Sequence, residues 1–230
     1  MDLIAGRYSL NCCPGAFPLS TDSMVLADFV RLPKKAQVLD LGSGCGTLGL
    51  LLCAKDENCT VTGVEITEIA HEAALENIRA NDLGHRFYSI CADLRAMPAG
   101  LQKGSFSVCV SNPPYFSGGA ASAKTPLARR EDCCDPAALF SAAASMLRFG
   151  GDFFLVHKPD KLAQLCHEAS LVGLEPKHLR LVRHRADGPI SLILLQCRKG
   201  GKPGLIIDEL SLFHPDGTPT EDRRRIYHEC

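Results

Sequence analysis

The 230-residue chain has no tryptophan, and aromatic residues make up only 6% of it. Neither charge sign is in surplus: 25 Lys and Arg against 26 Asp and Glu leave a formal net charge of -1. That balance argues against wholesale nucleic-acid binding through a basic surface and leaves room for a local patch. No apolar run approaches the roughly 18 residues needed to span a bilayer, so no membrane is expected. The N-terminus, MDLIAGRYSLNCC, has no basic region followed by a long apolar core, and a cytoplasmic protein without a secretory signal is expected. Internal repeats are missing. So is metal-ligand spacing: the pairs Cys12-Cys13 and Cys133-Cys134 lack the spaced partners of a zinc site, and no metal is expected.

What is present is ordinary for a globular protein, with 46% hydrophobic and 22% charged residues. The 12 cysteines are scattered through apparent strands and helices and read as reduced thiols. One domain over 1–230 is expected, with an extension over 1–35 packing on the site, a core over 36–199 and a tail over 200–230. Apolar periodicity and caps predict a helix from Ser23 to Arg31, a strand Gln37 to Leu41 and a helix Thr47 to Lys55. Strand Thr60 to Glu65 follows, then a helix from Thr67 to Ala80 closed by Gly84, and strands Phe87 to Cys91 and Phe106 to Ser111. Residues 117–134, rich in Gly, Ala and Ser, read as a loop. Asp135-Pro136 opens a helix that stops at Gly150-Gly151. Strand Asp152 to His157, a helix between Pro159 and Gly173, and two antiparallel strands, Leu179 to Arg183 and Ile190 to Cys197, complete the pattern. Together they predict a doubly wound α/β fold: a mostly parallel seven-stranded sheet with an antiparallel edge strand, and the tail packed along that edge.

Two stretches hold chemistry. Asp40-Leu41-Gly42-Ser43-Gly44-Cys45-Gly46 joins a strand to a helix, the arrangement in which backbone approaches a ligand closely. Glu65 ends the next strand about twenty residues on, where a ribose-binding carboxylate belongs. The pattern fits nicotinamide cofactors and S-adenosylmethionine. Thr47 stands where a dinucleotide fingerprint places its third glycine, and a carboxylate at Asp40 can meet an ammonium, so S-adenosylmethionine is the better match. Gly42, Gly44 and Gly46 would pass its methionyl part, Glu65 its ribose, and Asp93 its adenine amino group unless Asp93 only caps a turn. Thr21 and Asp22 are either helix caps or pocket lining. The second stretch is Asn112-Pro113-Pro114-Tyr115. Proline extends the residue before it and removes an N–H, which leaves the Asn112 and Pro113 carbonyls unclaimed, and Tyr115 offers a face to a flat group. His157 reads as a structural histidine and Cys45 as a small residue in its turn.

With its glycine turn, Glu65 and Asp93, the chain resembles the amino-methylating class I S-adenosylmethionine-dependent methyltransferases, whose motif is Asn or Asp, Pro, Pro, and Tyr or Phe. That implies Asn112, Pro113 and Tyr115 as the catalytic set. A closer resemblance covers nearly the whole chain. Phe17, Thr21-Asp22-Ser23, Leu26-Ala27, Asn112 to Phe116, Ala128 to Glu131, Val156 to Pro159, Leu174 to Pro176 and Lys199 to Gly204 look like the bacterial valine-tRNA adenine-37 N6-methyltransferase family. This implies a tRNA partner, an adenine beside the anticodon as substrate, and contacts at Phe116, Arg129, Arg130, Lys199 and Lys202. Arg130 departs from relatives, which commonly have His. From Pro176 to Gly204 the residues Lys177, Arg180, Arg183, Arg185, Arg198, Lys199 and Lys202 face Asp187 alone, the footprint of a phosphate backbone or of a solvated hairpin. The same motif serves protein-glutamine methyltransferases acting on release factors, but those carry a helical N-terminal domain for which about 35 residues are too few. An RNA-binding scaffold without catalysis is a third reading.

Overall fold

A computed structural model describes residues 2–4, 6–12, 19–114 and 135–228. A short antiparallel pair comes first, β1 (Asp2–Ile4) with β2 (Tyr8–Leu10). Helix α1 (Thr21–Phe29) starts two residues before the expected Ser23, because Ser20 is the cap: its Oγ accepts from the Ser23 N–H. Then β3 (Gln37–Leu41), α2 (Thr47–Lys55), β4 (Thr60–Glu65), α3 (Glu68–Ala80) and β5 (Phe87–Cys91) alternate as the sequence predicts. Past α3 the left-handed backbone falls at Asp82 (φ 55°), not at Gly84. A 3-10 turn (Leu94–Ala96) leads to β6 (Phe106–Ser111).

Asp135 caps α4 (Pro136–Met146), whose C-terminus passes directly into β7 (Leu147–His157). The expected stop at Gly150-Gly151 lies inside that strand, where the register with β6 shifts. Gly150 is left-handed there, and a Cβ on Gly151 would sit 3.0 Å from the Ser107 carbonyl, so the irregularity requires glycine. After a 3-10 turn (Pro159–Lys161), α5 (Leu162–Leu171), β8 (Leu174–Arg185), β9 (Ile190–Lys199), β10 (Ile206–Phe213) and α6 (Glu221–Tyr227) complete the chain.

The α/β class is as expected, with two differences of detail. Eight strands line up in the order β10-β8-β9-β7-β6-β3-β4-β5. The tail supplies the extra one, β10, parallel to β8, and the antiparallel strand β9 lies inside the sheet between β7 and β8. One apolar layer, including Leu26, Phe29, Leu50, Leu52, Ile78 and Phe87, brings together α1, α2, α3 and their sheet face. The other, with Leu139, Phe140, Leu165 and Phe153, lies under α4 and α5.

Candidate active site

The connections β3 to β4 to β5 run outward on one side of β3, and β6 then returns to its other side. In an open α/β sheet such a reversal leaves a crevice at the carboxyl ends of the two strands, which is where ligands bind. Asp40 pairs with Val110 in this register, so the glycine turn after β3 and Asn112 after β6 face each other across that crevice. Ser111 fastens the two strand ends by donating its Oγ–H to the Leu41 carbonyl at 2.7 Å.

The glycine turn is built as a cradle. Gly42, Gly44 and Gly46 all have left-handed backbones, at φ 74°, 54° and 84°, which other residues adopt only with strain. The Gly42 and Ser43 N–H groups donate to the Val64 carbonyl, and the Gly44 N–H donates to Glu65 Oε2 at 2.9 Å. Glu65 Oε1 accepts from the Thr67 N–H, so this carboxylate is fixed from both sides at the crevice lip. A Cβ added at Gly42 or Gly44 would meet no atom within 4 Å. Those faces are open to a ligand. Asn77 supports the turn from behind, donating to the Cys45 carbonyl and, through the same amide, to that of Asn11.

Asp40 is fully buried, and its Oδ2 has no hydrogen-bond partner among the described residues. Burial, and then the nearby Glu65 charge, push its carboxyl up to about 7, offset in part by the Gly49 N–H. A buried carboxylate oxygen without a donor, beside an open glycine turn, suits a cationic group such as the ammonium of S-adenosylmethionine. These acceptors and the open glycine turn fit that cofactor.

Asn112 stands half-buried at the end of β6 and donates its Nδ2 to Ser23 Oγ at 3.0 Å. No described group donates to its Oδ1 or to the Pro113 carbonyl, which leaves two acceptors at one end of the crevice. Ser23, in α1, is the partner of Asn112 that sequence reasoning missed as a separate contributor. Its only sequence signal is its place beside Thr21 and Asp22. Those two lie in the first turn of α1, where the Thr21 hydroxyl accepts from Tyr227 at 2.9 Å.

Asp93 follows β5 as expected, but its carboxylate is engaged. Oδ1 accepts from the Arg95 N–H and caps the 3-10 turn, while the Arg95 guanidinium binds both oxygens at 2.6–3.0 Å and holds the acid below its usual range. His157 is buried at the end of β7, its Nδ1 accepting from the Lys158 N–H, and burial lowers its basicity. Lys199 and Lys202 are not brought to Asn112. Lys199 lies at the opposite end of the strands, since Arg198 pairs with Asp152 while Asn112 follows the Ser111–Leu155 pair. Its Nζ donates to the Leu147 carbonyl. Four arginines of the basic segment are neutralised by carboxylates: Arg180 by Asp208, Arg183 by Glu209, Arg185 by Asp187 and Arg198 by Asp152. Tyr115, Phe116, Arg129 and Arg130 lie outside the described residues, as do Phe17 and the pairs' Cys13, Cys133 and Cys134. Among the described residues no cluster of His, Cys, Asp and Glu could hold a metal ion, and no helix is long and apolar enough to cross a membrane.

Comparison with known proteins agrees with this geometry. The fold is shared with a predicted O-methyltransferase from Agrobacterium tumefaciens, at TM-score 0.76 and 20% identity over 91% of this chain and 96% of that one. It is also shared with geranyl diphosphate C-methyltransferase from Streptomyces coelicolor, solved with S-adenosyl-L-homocysteine, at TM-score 0.59 and 12% identity over 77% and 78% of the two chains. The methyltransferase small domain family model matches residues 18–168. Fold, crevice and family model thus define a class I S-adenosylmethionine-dependent methyltransferase. Among its relatives, the tRNA1(Val) (adenine(37)-N6)-methyltransferase of Cronobacter sakazakii is 34% identical over 170 residues, 72% of this chain and 67% of that protein. The Tolumonas auensis enzyme of the same name is 31% identical over 188 residues, 80% and 78% of the two. The chain belongs to the tRNA1(Val) (adenine(37)-N6)-methyltransferase family.

Proposed function

We propose that this enzyme methylates the exocyclic N6 of an adenine in tRNA, at position 37 beside the anticodon of a valine tRNA, and that it does so in the cytoplasm. The observation that supports this most directly is the pair of unclaimed acceptors, Asn112 Oδ1 and the Pro113 carbonyl, across the crevice from the glycine turn. S-adenosylmethionine, when bound, supplies an electrophilic methyl group on a sulfonium. The chain's own residues do the rest. Asp40 receives the ammonium of the methionyl part, and Glu65 receives ribose hydroxyls on the lone pairs left by Gly44 and Thr67. Asn112 Oδ1 and the Pro113 carbonyl each accept a hydrogen bond from the adenine amino group, which draws that nitrogen out of conjugation and turns its lone pair outward. As the new C–N bond forms the methyl–sulfur bond breaks, and the nitrogen then sheds one proton to water. Tyr115 stacks on the base. Holding both reactants in line can supply on the order of 7 to 11 kcal/mol without a strong base. Phe116, Arg129, Arg130, Lys199 and Lys202 are the proposed RNA contacts, Lys199 and Lys202 to the tRNA body, away from the reacting base.

An anticodon loop can present its base splayed out without opening a duplex, which suits a site that must receive a single planar amino group. The test is nucleoside mass spectrometry of tRNA incubated with the enzyme and S-adenosylmethionine. N6-methyladenosine mapped to position 37 is expected; methyl transfer to a release-factor glutamine with RNA left unmodified would replace this reading with the protein-glutamine one.

A further inference from the structure

Asn112 can serve as an acceptor only if its amide faces the substrate oxygen-first. Turned over, it would present its own NH2 to the NH2 it is meant to hold. The tetrad cannot decide this, because both orientations fill the same space. The decision comes from α1. Ser20 Oγ accepts from the Ser23 N–H at 3.3 Å, so the Ser20 hydroxyl hydrogen is left to point at Ser23 Oγ, also 3.3 Å away. Ser23 Oγ thus receives two donors, the Ser20 hydroxyl and, at 3.0 Å, Asn112 Nδ2. Ser23 is buried at 6% exposure, where water competes poorly for this bond.

We infer that Ser23 is the positioning residue of this site, fixing the Asn112 amide with Oδ1 toward the substrate amino group. The inference rests on the proposed role of Asn112 and holds for adenine or for a glutamine amide, since both present a planar NH2. The rest of the molecule keeps Ser23 in place. Tyr227 donates to Thr21 at the start of α1, Arg225 pairs with Asp28 near its end, and Lys55 Nζ donates to the Ala27, Asp28 and Val30 carbonyls at 2.7–2.8 Å. Helix α1 is therefore clamped at both ends with Ser23 aimed at β6.

The experiment compares wild type, Ser23→Ala and Ser23→Thr by single-turnover methyl transfer to a tRNA transcript, S-adenosylmethionine calorimetry and hydrogen exchange of the Asn112 side-chain NH2 in 1H–15N spectra. Expected is a transfer rate about tenfold lower in Ser23→Ala with cofactor affinity within about twofold, since one orienting hydrogen bond is removed. Ser23→Thr, which keeps the hydroxyl, should restore most of the rate. Exchange of the Asn112 amide should be slow in wild type and Ser23→Thr and fast in Ser23→Ala. Equal rates and equal exchange in wild type and Ser23→Ala would overturn the inference. So would rate, cofactor affinity and melting temperature falling together in both variants, which would mark Ser23 as a helix residue only. Should Ser23→Ala not fold, a wild-type Asn112 amide exchanging as fast as an exposed asparagine still refutes it. The exchange measurement needs no methyl acceptor, so a wild type that leaves tRNA unmodified would sink the tRNA reading and leave Ser23 to be judged separately.

Discussion

Asn112 and Asp40 face the same crevice, and substitution should separate the roles proposed for them. The Asn112 side chain bonds only Ser23 among the described residues and leaves the glycine turn alone, so Asn112→Ala should reduce transfer by on the order of 100-fold or more while cofactor affinity stays within about twofold. Single-turnover rates and calorimetry measure the two; a parallel loss in both would make Asn112 structural. Asp40 behaves oppositely. Its carboxyl is raised to about 7, so without cofactor it stabilises the fold most when protonated, and that contribution is lost as pH rises from about 4 through 7. A bound ammonium reverses the preference. Affinity for S-adenosylmethionine should therefore climb up to about tenfold per pH unit below 7 and level off above it, and Asp40→Asn should flatten the profile. A wild-type affinity indifferent to pH between 5 and 8 would refute this role. Both residues were legible in the sequence because their neighbours are glycine and proline, whose backbone effects are local. The engagement of Asp93 was less legible. Arg95, two residues on, reaches it only because the chain closes a 3-10 turn there.

At the scale of elements, two contacts hold the crevice walls in register. Helix α2 packs against β5 through Gly49, where an added Cβ would come 2.2 Å from Phe87 Cζ. Gly49→Ala should cost about 1–3 kcal/mol through overpacking, read as a lower urea midpoint with unchanged slope. Lys55, at the other end of α2, caps α1 with one ammonium on three carbonyls. Lys55→Met keeps most of the apolar stem and removes the cap. We expect a loss of about 1–3 kcal/mol together with slower methyl transfer, because α1 also carries Ser23. Full activity in Lys55→Met would mean that α1 needs no such anchor. The alternation of β3, α2, β4, α3 and β5 was readable from apolar period and caps. Strand β10 was not: Asp208 and Glu209 sit mid-strand, and what makes them acceptable there is pairing with Arg180 and Arg183 across a register that local sequence does not reveal.

Over the whole molecule, those pairs also change how the charge is read. A stretch counted as strongly basic along the chain loses about half of its positive charge once β10 and β7 bring their carboxylates alongside. The exposed Lys202 is the residue best able to meet a phosphate there, since Lys199 Nζ is already bound to the Leu147 carbonyl. From the level of Asn112 to that of Lys199 is about five residues along β7, or roughly 16 Å at 3.3 Å per residue. A lysine so far from the reacting nitrogen can add affinity for the tRNA but cannot act on the chemical step. Lys202→Ala should therefore weaken tRNA binding a few-fold and reduce the slope of log affinity against log salt by about 1, with the single-turnover rate at saturating tRNA unchanged. A lower saturating rate in Lys202→Ala would place that end of the sheet nearer the chemistry than the strand register allows. An unchanged salt slope would remove Lys202 from the tRNA contacts and leave recognition to the crevice end.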